Sequence, residues 1–436
     1  MIGASNPGRR RHVSSIGRSF RPRRRPGRSD ACSWALLLAC LAAGRSLAAT
    51  PSGSTHGSSL QLIESFPVET SLDHTAIPEA YETWKAMIDG ATRSLEFAEF
   101  YVSSEPGSRL EPILDAVEAA AKRGVKVRFL AEKGFYKTYP ETLDRLKAQP
   151  GVEMRLYDVK SLMGGVLHAK YFLVDGKEAY LGSQNFDWRS LAHIQELGAR
   201  IEEPELVRAF YDVYETDWNL AGGGDRTFRR PVPKGGYHFP VTVLAGSDTL
   251  RVTPVFSPKG WLPDESLWDL PRLVNLIGSA RSTVRLQLLT YKTTGRNEFF
   301  DTLETALRAA AARGVQVQLL LSDWCKRSGT IEGLQSLEAL PGIEVKLVTI
   351  PPWSGGFIPF ARVVHAKYLV IDDDKAWVGT SNWEKDYFFA SRNVGLIIEG
   401  RGIAATLNSF FLDGWNGPYA TAVDPCATYT PPRIGE

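Results

Sequence analysis

Apolar residues recur along the chain with two periods, one typical of strands and one typical of helices. Alternating apolar and polar positions predict strands near residues 94–102 and 125–131. The apolar face of a predicted helix between them consists of Leu110, Ile113, Leu114, Val117 and Ala121. Gly124 is placed to end this helix. A strand, a helix and a strand at this spacing predict an α/β domain whose sheet lies between helices.

The same order of elements returns in the second half of the chain. Residues 119–130 recur as residues 309–320, at an offset of 190 positions, and residues 91–101 match residues 280–291. The apolar face of the second predicted helix consists of Leu303, Leu307 and Ala310. A match that continues over several elements identifies an internal duplication.

The duplication predicts two tandem α/β/α sandwich domains, at residues 60–220 and 251–430. Residues 221–250 are rich in glycine and interrupted by proline, which favours a linker across the surface. We expect the two similar domains to pack about a pseudo-twofold axis, so that their sites merge into one shared active site.

The first 49 residues differ from the rest of the chain. Ten arginines precede or flank a short apolar stretch at residues 31–43, and small residues follow it. This order predicts a cleavable signal peptide and no stable transmembrane anchor, with export to the periplasm or the exterior of a bacterium. Residues 37–40 also resemble a lipoprotein processing box, which leaves anchoring at Cys40 as the less favoured alternative.

Removal of this segment makes the protein acidic. Residues 50–436 carry 41 Lys and Arg against 48 Asp and Glu. A generally basic surface for nucleic acid or anionic membrane is thereby excluded, and any attraction for phosphate must be local. Two cysteines, Cys325 and Cys426, remain after cleavage, and their spacing alone does not decide between a disulfide and two free thiols.

A composite motif occurs once in each half with identical spacing. The first copy consists of His168, Lys170, Asp175, Ser183 and Asn185, and the second of His365, Lys367, Asp372, Thr380 and Asn382. Side chains two apart on a strand share a face, so the histidine and lysine of each copy should point together, as should the hydroxyl and the amide. The two aspartates fall on the opposite face, and we expect them to support the scaffold.

The motif residues predict a phosphate site, because they supply many donors for an anion and few carboxylates for a divalent cation. No metal or cofactor is expected. One histidine would attack phosphorus and the other would act as acid and then base, through a covalent phosphohistidine. Both lysines and both asparagines would stabilise the charged oxygens, and Ser183 and Thr380 would bind substrate.

A break in the duplication suggests which histidine attacks. Glu196 stands 28 residues beyond His168, whereas Asn393 stands 28 residues beyond His365. A carboxylate raises the basicity of the imidazole that it orients, and an amide orients without charge. If each partner serves its own half, His168 is the nucleophile and His365 the general acid and base.

These motifs resemble those of the phospholipase D superfamily, which implies phosphodiesterase activity. Segments flanking the motifs, at residues 165–170, 180–191, 358–363 and 379–383, are similar to the lysosomal branch that trims single-stranded nucleic acid from its 5′ end. That resemblance implies a single-stranded nucleic acid substrate, a disulfide between Cys325 and Cys426, and a homodimer.

Two other functions remain open from the sequence. Bases of a nucleic acid need aromatic platforms, for which the candidates are Trp188, Trp353, Phe357, Phe360 and Trp383. Packing between the domains explains the same rings equally well. The apolar, glycine-containing loop at residues 351–360 would also suit a phospholipase that dips into a membrane. An inactive phosphate-binding protein is the third alternative, although neither motif copy is damaged.

Overall fold

Two β-sheets, one in each half of the chain, organise this computed structural model, which describes residues 59–246, 248–293 and 299–435. The strands of the first half are β1 Leu60–Ser65, β2 Ser94–Glu99, β3 Val102–Ser103, β4 Lys126–Glu132, β5 Val152–Tyr157, β6 Tyr171–Val174, β7 Glu178–Gly182, β8 Phe186–Asp187 and β9 Ile194–Ile201. Its helices are α1 Ala80–Asp89, α2 Glu111–Lys122, α3 Lys133–Tyr136, α4 Pro140–Lys147, α5 Val159–Met163 and α6 Pro204–Ala221.

The second half repeats this series and extends it. Its strands are β10 Val241–Ala245, β11 Asp248–Ser257, β12 Thr283–Leu288, β13 Gln316–Ser322, β14 Ile343–Val348, β15 Val363–Val364, β16 Tyr368–Ile371, β17 Lys375–Gly379, β18 Asn393–Glu399 and β19 Ala420–Ala422. Its helices are α7 Asp269–Gly278, α8 Thr302–Ala312, α9 Ile331–Glu338, α10 Lys385–Phe389 and α11 Arg401–Asn416, with short 3-10 turns at Glu265–Leu267 and Asp323–Lys326.

The strand orders of the two sheets confirm the duplication. The first sheet runs β1-β9-β7-β6-β2-β4-β5, and the second runs β10-β11-β18-β17-β16-β12-β13-β14-β19. The inner seven strands of the second sheet correspond one to one with the first. In each sheet three neighbouring strands are parallel, β2-β4-β5 and β12-β13-β14, and the other pairings along these orders are antiparallel. Strand β15 of the second half also joins the first sheet, parallel to β9. The predicted pair of α/β sandwich domains is confirmed.

The apolar periodicity explains how the helices cover the sheets. In α2 the predicted apolar face is buried, and in α8 Leu303, Leu307 and Ala310 are buried in the same way. Gly124 and Gly314 follow these helices with φ of 92° and 89°, a conformation that side chains with a Cβ rarely adopt. Each helix therefore stops where the next parallel strand must begin.

The connection between the halves is more ordered than a plain linker. Residues 221–250 include strand β10, which pairs antiparallel with β11 and forms an edge of the second sheet. The second domain thus takes a strand from the segment expected to be linker.

The N-terminal segment of 49 residues, with Cys40, lies outside the described residues. Among the residues that the structure describes, no helix is both long and apolar enough to cross a membrane.

Candidate active site

The two motif copies meet because the backbone just before each histidine pairs with the opposite half. The two-residue strand β15, just before His365, pairs with the beginning of β9 in the first half. The His365 amide then donates to Gln195 O at 2.8 Å, and the His168 amide donates to Arg392 O at 2.9 Å in the mirrored arrangement. Backbone hydrogen bonds therefore fix each histidine against the opposite half.

A cavity of about 290 Å³ opens over the meeting point. Its polar lining is His168, Asn185, His365 and Asn382, one histidine and one asparagine from each half. The other residues that line it are Phe100, Tyr101, Phe135, Tyr139, Val166, Ile194, Leu289, Trp324, Phe360, Val363 and Tyr387. The site is thus a small polar centre within aromatic and aliphatic walls.

Each histidine is oriented by a residue of the other half. His365 Nδ1 lies 2.7 Å from Glu196 Oε2, and His168 Nδ1 lies 3.1 Å from Asn393 Oδ1. The prediction that each partner serves the histidine of its own half is wrong. The reason is the position of the strands: Glu196 on β9 lies next to the second motif copy, and Asn393 on β18 lies next to the first. In both rings the partner occupies Nδ1, which leaves Nε2 as the nitrogen to meet substrate.

Burial and the shared positive charge set the protonation of the histidines. Burial, followed by the charges of Lys170 and Lys367, holds the pKa of His168 well below its usual value. Burial also lowers the pKa of His365, but the Glu196 carboxylate opposes that shift. The pKa of Glu196 itself is lowered, because His365 and Lys367 outweigh the effect of its burial. Glu196 is therefore an anion next to an imidazole that it makes more basic.

The two lysines lie beneath the histidines and are almost fully buried. Lys170 Nζ donates to His168 O at 2.5 Å, and Lys367 Nζ donates to His365 O at 2.6 Å. Burial lowers the pKa of Lys367 to about 7, although Glu196 opposes it, and it lowers the pKa of Lys170 strongly. An anion that enters the cavity would favour the charged form of both groups.

The two asparagines present their amides to the cavity from opposite sides. Asn185 Nδ2 donates to the Tyr101 hydroxyl at 3.3 Å, and Asn382 Nδ2 donates to the Tyr387 hydroxyl at 3.1 Å. Neither tyrosine was singled out from the sequence. Tyr101 lies two residues beyond the end of β2, at the carboxyl end of a parallel strand, which is where α/β sheets gather their functional side chains.

The hydroxyls expected to bind substrate lie behind the site. Ser183 and Thr380 are fully buried and do not line the cavity. Ser183 Oγ accepts from Leu197 N at 3.0 Å, and Thr380 Oγ1 donates to Asn393 Oδ1 at 3.0 Å. Direct contact of the two hydroxyls with substrate stays a prediction. They hold in place the strands and the amide that orient the histidines.

The motif aspartates lie at the far end of their strands from the cavity. Asp175 accepts from the backbone amides of Thr92, Arg93 and Ser94. Asp372 accepts in the same way from the amides of residues 281–283. Each carboxylate thereby anchors the beginning of a neighbouring central strand.

The disulfide implied by the family resemblance is absent among the described cysteines. Cys325 is buried and Cys426 is exposed, and both thiols are free. The Cys325 thiol lies 3.5 Å from Leu289 O, and burial raises its pKa to about 12. The expected cross-link is therefore wrong for this structure, since one partner lies in the core and the other on the surface.

One of the five aromatic platforms expected from the sequence, Phe360, lines the cavity. Trp383 is buried in the core of the second half, and Trp188 and Trp353 pack around His193. Phe357 is exposed and lies under the Arg433 guanidinium, 4.0 Å from its ring centroid. The packing alternative holds for most of these rings.

Within residues 59–246, 248–293 and 299–435, no cluster of three or more His, Cys, Asp or Glu is placed to hold a metal ion. The site itself offers paired imidazoles surrounded by donors for an anion.

Two α/β halves that share one such histidine, lysine and asparagine centre define a class of phosphodiester-processing enzymes. A family model described as cardiolipin synthase, PLD-like domain, matches residues 84–218 and 273–415. The chain belongs to the phospholipase D superfamily and is a phosphodiesterase of that superfamily.

Curated relatives extend this similarity over most of the chain. Phospholipase D Z of Dictyostelium discoideum is 31% identical over 395 residues, covering 86% of this chain and 92% of that protein. The 5′-3′ exonuclease PLD3 of Bos taurus is 32% identical over 408 residues, covering 84% and 81%. The phosphatidylserine synthase structure from Haemophilus influenzae Rd KW20 shares the fold, with a TM-score of 0.57, 12% identity, and coverage of 79% and 85%.

Proposed function

We propose that this phosphodiesterase hydrolyses single-stranded nucleic acid through a covalent phosphohistidine on His365. The observation that carries the proposal is the aromatic lining beside the paired histidines, because flat rings stack nucleobases without regard to sequence. Several curated relatives are named 5′-3′ exonucleases, which supports this substrate class.

The crossed partners support a different role for each histidine. Glu196 increases the basicity of His365, so the free Nε2 of His365 is the better nucleophile. Asn393 orients His168 without adding charge, which leaves His168 Nε2 to carry the proton for the leaving oxygen. Burial and the two lysines lower the pKa of His168, and the negative charge of a bound phosphodiester opposes that shift and favours the protonated ring. This assignment is the reverse of the one expected from the sequence, because the carboxylate of Glu196 contacts His365 and not His168.

The reaction then proceeds in two displacements. His365 Nε2 forms a bond to phosphorus while the P–O bond to the leaving group breaks, and His168 donates a proton to the departing oxygen. Water next attacks phosphorus, with His168 as base, and releases His365. Lys170, Lys367, Asn185 and Asn382 stabilise the negative charge on the oxygens in both steps.

Phospholipid is the second candidate substrate. Phospholipase D Z is among the relatives, and Phe357 and Phe360 are exposed apolar residues near the cavity. Release of choline from phosphatidylcholine, with single-stranded DNA left intact, would favour this candidate.

The decisive experiment offers EDTA-treated protein 5′-hydroxyl single-stranded DNA, single-stranded RNA and phosphatidylcholine vesicles. We expect release of mononucleotides in the presence of EDTA and no release of choline. His168→Ala and His365→Ala should each lower kcat by at least a thousandfold. Phosphohistidine is hydrolysed in acid, so the intermediate should be trapped by rapid denaturation at alkaline pH. We expect the label on the peptide that contains His365.

A label on the His168 peptide would contradict the assignment of roles. Loss of activity in EDTA would contradict the metal-independent mechanism. Export from the cell and formation of a homodimer stay predictions from the sequence.

A further inference from the structure

Four aromatic residues of the first half form one continuous side of the cavity. This aromatic wall consists of Phe100, Tyr101, Phe135 and Tyr139. The Phe100 and Phe135 centroids are 4.2 Å apart, and Tyr101 stacks on Tyr139 with centroids 5.1 Å apart. All four rings are only partly buried, so they present apolar surface to whatever fills the cavity.

The wall lies beside His168. The Phe100 centroid is 5.1 Å from the His168 ring, and Lys170 Nζ lies 4.7 Å from the Phe100 centroid. The second motif copy has no equivalent of this wall at the matching strand end, where Leu289 follows β12 in the place that Phe100 takes after β2. The first half therefore contributes an aromatic wall next to His168, and the second half has no matching wall at the corresponding position.

A buried ion pair holds the wall from behind. Arg189 and Asp187 are almost fully buried and joined by hydrogen bonds of 2.6 and 2.9 Å. The Arg189 guanidinium lies 5.6 Å from the Tyr139 centroid and 6.0 Å from the Tyr101 centroid. Rings fixed in this way bind a flat partner with little loss of side-chain entropy.

The chemistry of the displacement gives this side of the cavity a role. The attacking and leaving atoms lie roughly in line on opposite sides of phosphorus. With His365 attacking, the departing oxygen is on the side of His168, which is also the side of the aromatic wall. The group that leaves must accordingly pack on the wall.

We propose that the aromatic wall binds the base of the leaving nucleoside, the one whose oxygen departs from phosphorus. This inference rests on the proposed function and on the roles given to the two histidines. A volume of about 290 Å³ is at the small end of ligand pockets and suits one nucleoside better than a pair of acyl chains. The wall thus makes the enzyme sensitive to the base on one side of the scissile bond.

The test uses a dinucleoside monophosphate, which has a single phosphodiester, so mass spectrometry of its products identifies the leaving nucleoside. Two further substrates lack either the leaving base or the retained base. For the wild-type enzyme, we expect loss of the leaving base to lower kcat/KM about tenfold, the usual scale of one stacked base. Loss of the retained base should change kcat/KM less than threefold.

Phe135→Leu and Tyr139→Leu keep apolar bulk but remove the ring faces. Each should lower kcat/KM for the intact substrate by about tenfold and abolish its dependence on the leaving base. Phe299→Leu is the matched control, because Phe299 is an exposed ring that does not line the cavity. That variant should behave as the wild type, and thermal melting should show that all three variants are folded.

Equal effects of the two abasic substrates, or a larger effect of the retained base, would overturn the inference while leaving nuclease activity intact. The same holds if Phe135→Leu and Tyr139→Leu remain sensitive to the leaving base. Hydrolysis of phosphatidylcholine without hydrolysis of any dinucleotide would instead overturn the proposed function, and the inference with it.

Discussion

Glu196 exerts its influence on a histidine 169 positions away in the chain. It is fully buried, and its carboxylate is shared between His365 and the Ser190 hydroxyl, which donates at 2.9 Å. A buried anion with these partners stays ionised and lies in a fixed place. At the scale of single residues, this contact distinguishes two otherwise similar imidazoles.

Replacing Glu196 with Gln tests that distinction. The amide can still meet His365 Nδ1, but the charge that raises the pKa of His365 is lost. Since attack requires neutral imidazole, the acidic limb of the kcat/KM profile should move to lower pH. The plateau should fall at least tenfold, because the less basic nitrogen is a poorer nucleophile.

Asn393→Asp is the matched change at the other histidine. It adds a charge next to His168, so it should raise the pKa of His168 and leave the labelled peptide of the intermediate unchanged. An acidic limb that stays in place or moves upward in Glu196→Gln would count against His365 as nucleophile.

The motif residues were predictable from the sequence because they repeat at identical spacing. Their partners were visible as well, since Glu196 and Asn393 stand at matching positions. Which partner meets which histidine was not visible, because pairing across the halves depends on tertiary structure and not on distance along the chain. The burial of Ser183 and Thr380 was not predictable for a related reason: strand parity gives a face, but not the depth at which that face is buried.

At the scale of elements, the motif aspartates act on strands β2 and β12. Hydrogen bonds from Thr92, Ser94 and Arg93 lower the pKa of Asp175, although burial opposes this. Asp175 and Asp372 also have φ of 56° and 51°, a conformation that aspartate and asparagine tolerate best. The carboxylates join a tight turn to the first residues of a central strand.

Asp175→Asn should therefore lower the free energy of unfolding by about 2 kcal/mol at pH 7, because hydrogen bonds to a charged group are lost. A group whose pKa is lowered by folding stabilises the protein above its unfolded pKa and loses that effect as the pH falls. The difference between wild type and variant should thus shrink below about pH 4. Urea unfolding at several pH values measures both effects.

Asp89→Asn, at an exposed acid on α1, serves as the control and should cost less than 1 kcal/mol. KM should be unchanged in Asp175→Asn. A large rise in KM with no change in stability would show that Asp175 acts on substrate instead.

Regular elements were easier to predict than short ones. The strands and helices around residues 94–131 follow from apolar periods that span many residues. Strand β15 has only two residues, and β10 lies in a segment rich in turn formers, so neither leaves a periodic signal. Strand β15 forms because it pairs with β9 of the first half, and β10 forms because it pairs with the following strand β11.

At the scale of the whole molecule, a buried ion pair joins the halves. Arg392 and Asp217 have no exposed side-chain surface, and the guanidinium donates to both carboxylate oxygens at 2.8 Å. Arg392 also donates to Ser257 O and Trp261 O. Its own carbonyl accepts from the His168 amide, so the same residue joins the interior to the active site.

Asp217→Ala should destabilise the protein by roughly 3–5 kcal/mol, because it leaves a buried charge without its partner. Activity should fall with it at temperatures where the protein remains folded, since the backbone segment that carries His168 is held by Arg392 and loses that support. Thermal melting and kcat measured on the same samples test the two effects together. Arg208→Ala, which removes a more exposed partner of Asp212 on the same helix, should leave kcat unchanged. An Asp217→Ala protein with wild-type melting would refute the role of the pair.

The crossed partners bear on the origin of the enzyme. If two identical single-domain chains formed this site as a symmetric dimer, symmetry would give both histidines the same neighbour. Gene fusion removes that constraint, because each copy can then mutate alone. Only the fused gene can therefore provide a carboxylate for one imidazole and an amide for the other. In the fused chain, a substitution at Glu196 or Asn393 therefore acts on the histidine of the other copy.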